Sequence, residues 1–136
     1  MTSKEYLSEL KNKHERIIEE KEVLQRLKDT LELSGISYEK EVIQTSPSYD
    51  SVPELIAKIS DQENKIERLT QEYIKYKIHC ITLIGEIEDN KQRDILYHVY
   101  IDFESLHEVA EELNYSYERV RQLLVSGLTK VKVTFV

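Results

Sequence analysis

An uninterrupted apolar seam between residues 55 and 87 constrains the fold of this chain more than any other feature. Its positions alternate spacings of four and three without a slip, and they are Leu55, Ile59, Gln62, Ile66, Leu69, Tyr73, Tyr76, Cys80, Leu83 and Ile87. This is the heptad pattern of coiled coils, and it predicts a helix of ~50 Å packed lengthwise against a partner. The partner is a second helix of the chain or a second copy, so the seam is a candidate surface for a hairpin or a homo-oligomer.

A weaker heptad pattern near the N-terminus identifies a partner within the chain. Its apolar positions recur every seven residues and are Leu10, Ile17, Leu24 and Leu31. They predict a helix from Ser3 to about Ser34, joined to the seam helix by a loop over residues 35–51. A loop of this length allows the chain to reverse direction, which favours an antiparallel helical hairpin. The loop itself is expected either to be free or to lie along the helices through Val42 and Ile43.

A helix, a turn and a second helix follow in residues 105–128. Ser105 is a good N-cap, and four apolar residues then form one stripe at positions 106, 109, 110 and 113. Asn114 comes next and tolerates a left-handed backbone, so it predicts a sharp turn. Ser116 caps the second helix, whose predicted buried side consists of Val120, Leu123, Leu124 and Leu128. The pattern therefore predicts a helix-turn-helix.

The opposite side of the second helix carries polar groups suited to DNA. Their types match hydrogen bonding to phosphates and to base edges in a major groove. The candidate DNA-binding residues are Ser116, Tyr117, Glu118, Arg119, Arg121, Gln122 and Ser126.

Residues from about 87 to 132 resemble region 4 of bacterial sigma factors, which reads the −35 promoter element. The segment SYERVRQLLVSGLTKV is especially similar to the recognition helix of that family. The resemblance implies that Glu118 and Gln122 read bases and that Arg119 and Arg121 favour backbone contacts. Two residues depart from the family pattern. Tyr117 stands where a base-reading arginine is common, and Val99 stands where an arginine directed toward the phosphates is common. The whole layout also resembles small phage-associated transcription regulators of Gram-positive bacteria.

The fold class predicted from these patterns is all-α, with two domains. Residues 1–88 form the helical hairpin with its 35–51 loop, and residues 89–136 form the sigma region 4-like domain. A short helix over residues 91–102 is expected to face the helix-turn-helix, and the last helix is expected to continue to about Lys132. A second apolar stripe on the seam helix offers a docking face for the terminal domain or another subunit, through Ile74, Ile78 and Ile81.

The charge of the chain bears directly on DNA binding. The net charge is −7, and residues 90–136 alone carry 6 basic and 7 acidic side chains. Because nonspecific affinity depends on neutralising phosphates, a single copy is expected to bind DNA weakly. Useful affinity requires pairing of two copies or retention at a promoter by RNA polymerase. No apolar run approaches the ~18 residues of a membrane span, and a single cysteine fits a reducing compartment, so the cytoplasm is expected.

Enzymatic chemistry finds little support in the sequence. Cys80 lies in the apolar seam and is expected to be a buried structural thiol, and His98 is expected to be an ordinary histidine. His107 and Glu111 form an i, i+4 pair without a suitably spaced third ligand, so neither metal nor cofactor is predicted. Two functions remain open. The chain is a DNA-binding transcription regulator that acts as a dimer, or it is a coiled-coil adaptor that binds RNA polymerase or another protein without reading DNA.

Overall fold

The computed structural model describes residues 1–35 and 51–133, and those residues form helices without any strand. The helices are α1 (Ser3–Leu33), α2 (Val52–Gly85), α3 (Asn90–Leu96), a π-helical segment (Tyr97–Ile101), α4 (Leu106–Leu113) and α5 (Tyr117–Leu128). The all-α prediction is confirmed. The loop residues Val42 and Ile43 lie outside the described residues. No helix in the described ranges has the length and apolar character needed to cross a membrane.

Contacts divide the chain into two compact units. We call Met1–His14 with Glu72–Val136 the head unit, and Glu15–Gln71 the hairpin unit. Each unit contains a part of α1 and a part of α2. A domain boundary at residue 88 stays a prediction.

The hairpin unit holds its two helical stretches antiparallel. Its core consists of Leu31, Val52 and Ile59, with Leu24, Leu27, Leu55 and Ile56 packed against it. Farther along, Gln62 donates a 2.6 Å hydrogen bond to the carboxylate of Glu20, and Lys65 lies 3.2 Å from the same carboxylate. These bonds lower the pKa of Glu20. Late residues of α1 therefore meet early residues of α2, as a hairpin requires.

The end of α1 follows the predicted stop. The amide N–H groups of Ser34 and Gly35 donate to the carbonyls of Leu31 and Glu32 at 3.0 and 2.9 Å. Gly35 has φ of +80°, a left-handed backbone that glycine adopts without steric cost.

The head unit packs the first residues of α1 against the end of α2. The Tyr6 ring stacks on the Tyr76 ring at 4.6 Å, and the Tyr76 hydroxyl donates a 2.6 Å bond to the Tyr6 carbonyl. The hydroxyl of Tyr6 also shares a hydrogen bond with His79. Cys80 is fully buried as expected, and burial raises the pKa of its thiol to about 12. The buried core of this unit is Leu7, Leu10, Cys80, Leu83, Ile84, Ile87, Leu96, Tyr100 and Val131.

The two apolar stripes of α2 differ in burial. Four seam residues are buried, namely Ile59, Cys80, Leu83 and Ile87. The other six are half-buried, namely Leu55, Gln62, Ile66, Leu69, Tyr73 and Tyr76. A role of the seam in an oligomer stays a prediction. The second stripe remains exposed, because Ile74, Ile78 and Ile81 expose 43%, 59% and 39% of their surface. The terminal helices of the head unit therefore leave that stripe uncovered.

The end of α5 corrects one prediction. The helix ends at Leu128 instead of continuing to about Lys132. The Lys130 N–H closes a turn on the Gly127 carbonyl at 3.0 Å, and Val131 then enters the core with 6% exposure. The Val131 carbonyl accepts a 3.1 Å bond from the Ser3 hydroxyl. Burial of Val131 and this long-range bond explain why the chain leaves the helical path.

Candidate nucleic-acid interface

Local capping fixes both helices of the helix-turn-helix. The Ser105 hydroxyl accepts a 3.1 Å bond from the Glu108 N–H at the start of α4. The Ser116 hydroxyl accepts an equal bond from the Arg119 N–H at the start of α5. Between them, Asn114 has φ 56° and ψ 39°, the left-handed conformation that its residue type predicted. Three short-range features of the sequence thus set where α4 begins and ends and where α5 begins.

A small apolar core holds the two helices and α3 together. Ile95, Val109 and Val120 are fully buried in it, and Leu123 is 6% exposed. Leu106, Ala110, Leu113 and Leu124 are among the partly buried residues packed against this core. The helix α5 therefore rests on α3 and α4.

Gly127 allows α5 to approach α3 closely. A Cβ atom at this position would lie 3.1 Å from Leu96 Cδ1 and 3.4 Å from Gln92 Cβ, which is tighter than ordinary packing. This role of Gly127 was not predicted from the sequence. The available signal was a glycine inside a helical pattern, which often marks a close packing contact.

The structure places the candidate DNA-binding residues on the outer side of α5 and at its N-cap. All seven are exposed, and they are Ser116, Tyr117, Glu118, Arg119, Arg121, Gln122 and Ser126. Val125 shares this surface with 52% exposure and was not among the predicted residues. An apolar side chain at such a place suits contact with a thymine methyl group.

Two of the predicted residues bind each other. Arg121 Nη2 lies 2.6 Å from Glu118 Oε1, and Arg121 Nε donates to Glu118 Oε2 at 3.1 Å. This pairing lowers the pKa of Glu118 and raises the pKa of Arg121. Both side chains stay exposed, and a hydrogen bond from the Gln122 side chain also lowers the pKa of Glu118, so the three residues are neighbours on this face. Sequence spacing permitted this i, i+3 pair, but the family pattern had assigned the two residues separate roles.

Tyr117 is held by a ring contact. Its ring stacks on the His107 imidazole of α4, with centroids 4.5 Å apart and planes 24° apart. The ring still exposes part of its surface, with 43% exposure for the residue. His107, which forms an i, i+4 pair with Glu111 in the sequence, is therefore engaged in an aromatic contact.

A group of titratable side chains lies where the π-helical segment meets α4. His98 Nδ1 is 3.2 Å from Glu104 Oε1 and 3.4 Å from Glu112 Oε2. The hydrogen bond with Glu104 and its neighbouring charge raise the pKa of Glu112. Asp102 belongs to the same group, since the ligand atoms of His98, Asp102 and Glu104 all lie within 4.8 Å of one another. This cluster was not predicted from the sequence, although His98 and Asp102 have i, i+4 spacing.

In the residues that the structure describes, the geometry defines a helical protein with a C-terminal helix-turn-helix, and the outer side of its second helix, α5, is exposed. Residues 89–133 match the family model described as Sigma-70, region 4. This match confirms the resemblance of the C-terminal part to a sigma region 4 helix-turn-helix and supports a DNA-binding role in transcription. The likeness of the whole layout to phage-associated regulators stays a prediction. The curated proteins and the solved structures compared with the chain gave no match.

Proposed function

We propose that this chain is a transcription regulator that reads promoter-type duplex DNA through the outer side of α5, acting as a dimer. The observation that carries the proposal is the exposure of all seven candidate residues on a capped helix within a sigma region 4-like module. A helix presented this way fits the major groove, where its side chains meet base edges.

The contacts on α5 suggest a division of roles. Glu118 and Gln122 are one turn apart and read bases, since a carboxylate accepts from cytosine N4 and a glutamine amide pairs with adenine. Arg119 contacts phosphates. Besides any contact with the DNA backbone, we assign Arg121 a positioning role, because its two hydrogen bonds hold the Glu118 carboxylate in one orientation.

Dimer formation would compensate for the weak electrostatics of the terminal part. Residues 90–136 carry 6 basic against 7 acidic side chains, so a single copy has little long-range attraction for phosphates. The exposed stripe of Ile74, Ile78 and Ile81 offers an apolar surface for pairing. Two copies would then place two α5 helices on adjacent half-sites. If the chain sediments as a monomer at micromolar concentration in the presence of DNA, the proposed dimer is refuted.

The test of DNA binding is fluorescence anisotropy with duplex DNA over a range of salt concentrations. We expect affinity to fall steeply with salt, and Arg119→Ala to reduce the logarithmic salt slope by about 1, as for one lost phosphate contact. Arg68→Ala removes an arginine of α2 that is also exposed and is the matched control, which we expect to retain the slope. Equal slopes for both variants would count against a phosphate contact from α5.

The alternative function is a coiled-coil adaptor that binds RNA polymerase or another protein without reading DNA. Two observations favour it, namely the acidic balance of residues 90–136 and the engagement of Arg121 with Glu118. Absence of duplex binding at low salt, together with retention on immobilised core RNA polymerase, would support the adaptor and exclude the DNA reader.

A further inference from the structure

We propose that His98, Asp102 and Glu104, with Glu112 adjacent, form a binding site for a divalent transition-metal ion. One imidazole nitrogen and two carboxylates present ligand atoms within 4.8 Å of one another. A third carboxylate, from Glu112, lies 3.4 Å from His98 Nδ1. This site is separate from the outer side of α5, and the proposal is independent of whether the chain reads DNA.

The backbone brings the three ligands together within seven consecutive residues. The Asp102 N–H donates to the Tyr97 carbonyl at 3.0 Å, which is the wide i to i+5 bond of a π-helix. Phe103 then adopts φ of 59°, and the Glu104 N–H returns to the His98 carbonyl at 3.0 Å. This reversal turns Glu104 back toward the imidazole.

The charges of the cluster are incompletely matched by protein groups. One imidazole can neutralise at most one of the three carboxylates that surround it. Glu104 Oε1 reaches His98, and the Glu104 carboxylate also meets the Glu112 carboxyl. Glu104 Oε2 is shielded from solvent and, among the described residues, receives no hydrogen bond from an N–H group or from a Ser, Thr or Tyr hydroxyl. Buried carboxylate oxygens without partners are costly, so each such atom calls for a physical explanation. A bound cation would satisfy this oxygen and offset the repulsion among the carboxylates.

The donor set indicates the class of ion. An imidazole nitrogen combined with carboxylate oxygens suits zinc, manganese and related first-row ions, whereas calcium and magnesium sites are built from oxygen alone. Three protein ligands with a partly exposed Asp102 leave room for water to complete the coordination shell. If Glu112 of α4 also bound the ion, the ion would link α4 to the π-helical segment.

The test is calorimetric titration of the full, untagged, metal-free chain with Zn²⁺ and, separately, with Mn²⁺. We expect one saturable site for at least one ion, and a melting temperature that rises as the ion is added, because a ligand bound to the folded state stabilises it. Asp102→Asn keeps the shape of the side chain but weakens the ligand, and we expect it to lower affinity by at least about tenfold. His98→Ala should abolish the site.

His107→Ala provides the matched control, since it removes an exposed histidine of α4 outside the cluster. We expect it to bind the ion as the unaltered chain does. Circular dichroism of each variant establishes that the helices are retained, and Asp102→Asn keeps the test valid if His98→Ala unfolds. Failure of both ions to bind, or equal binding by the unaltered chain and Asp102→Asn, would overturn the proposal.

Discussion

The left-handed backbone at Asn114 makes a quantitative prediction about the turn before the recognition helix. At φ 56° and ψ 39°, an ordinary side chain costs roughly 1–2 kcal/mol relative to the right-handed region, and asparagine and glycine are the residues that visit this region routinely. The Asn114 side chain is exposed, so a substitution changes the backbone preference with little change in packing. We therefore expect Asn114→Ala to lower the free energy of unfolding by about 1 kcal/mol and Asn114→Gly to change it little.

Urea unfolding followed by circular dichroism measures this difference. With a slope of about 1–3 kcal/mol per molar urea, Asn114→Ala should move the midpoint down by roughly 0.3–1 M. Asn12→Ala is the matched control, because Asn12 is exposed within α1, where alanine is the better helix former, and the midpoint should stay equal or rise. An Asn114→Ala midpoint equal to that of the unaltered chain would refute the reasoning, as would Gly and Ala variants of equal stability.

Three further predictions concern single side chains. The Asp89 carboxylate caps α3 by accepting from the Gln92 N–H at 3.0 Å, which lowers its pKa, so its stabilisation is present at pH 7 and is lost as pH falls through its folded-state pKa. Urea midpoints should therefore separate Asp89→Ala from the unaltered chain at pH 7, and the difference should shrink as the pH falls below the ordinary range of an aspartate carboxyl; a difference that does not depend on pH would contradict the charged cap. Burial raises the pKa of Cys80 to about 12, so a thiol reagent at pH 8 should react at least roughly 1,000-fold more slowly with the folded chain than in urea, and equal rates would contradict its burial. Arg121→Ala should raise the pKa of the Glu118 carboxyl toward its ordinary value in an NMR titration, and an unchanged value would exclude the pairing.

Local signals in the sequence predicted much of the fold. The heptad patterns located α1 and α2 to within a residue or two at both ends, because one long stripe and a clear stop leave few alternatives. The caps at Ser105 and Ser116 and the turn at Asn114 depend on bonds within four residues, so residue type alone was sufficient. The exposed side of α5 was predicted from the helical spacing of its apolar residues, which face the opposite way.

Features that depend on contacts distant in sequence escaped prediction. α5 ends early because Val131 enters the core and bonds to Ser3, more than a hundred residues away. The π-helical segment and the left-handed Phe103 bring Glu104 to His98, and no residue pattern there marks a wide helical turn. The pairing of Glu118 with Arg121 was missed for a different reason, since the family resemblance assigned each residue its own partner in DNA.

Selection of bound sequences from random duplex DNA at low salt tests the central claim most directly. The experiment uses the full chain beside Gln122→Ala, which removes a proposed base contact from an exposed position. If α5 reads bases, the unaltered chain enriches a defined motif, and the variant loses preference at one or two base pairs of that motif. Absence of any enriched motif, or an identical motif for both proteins, would contradict sequence reading by the outer side of α5.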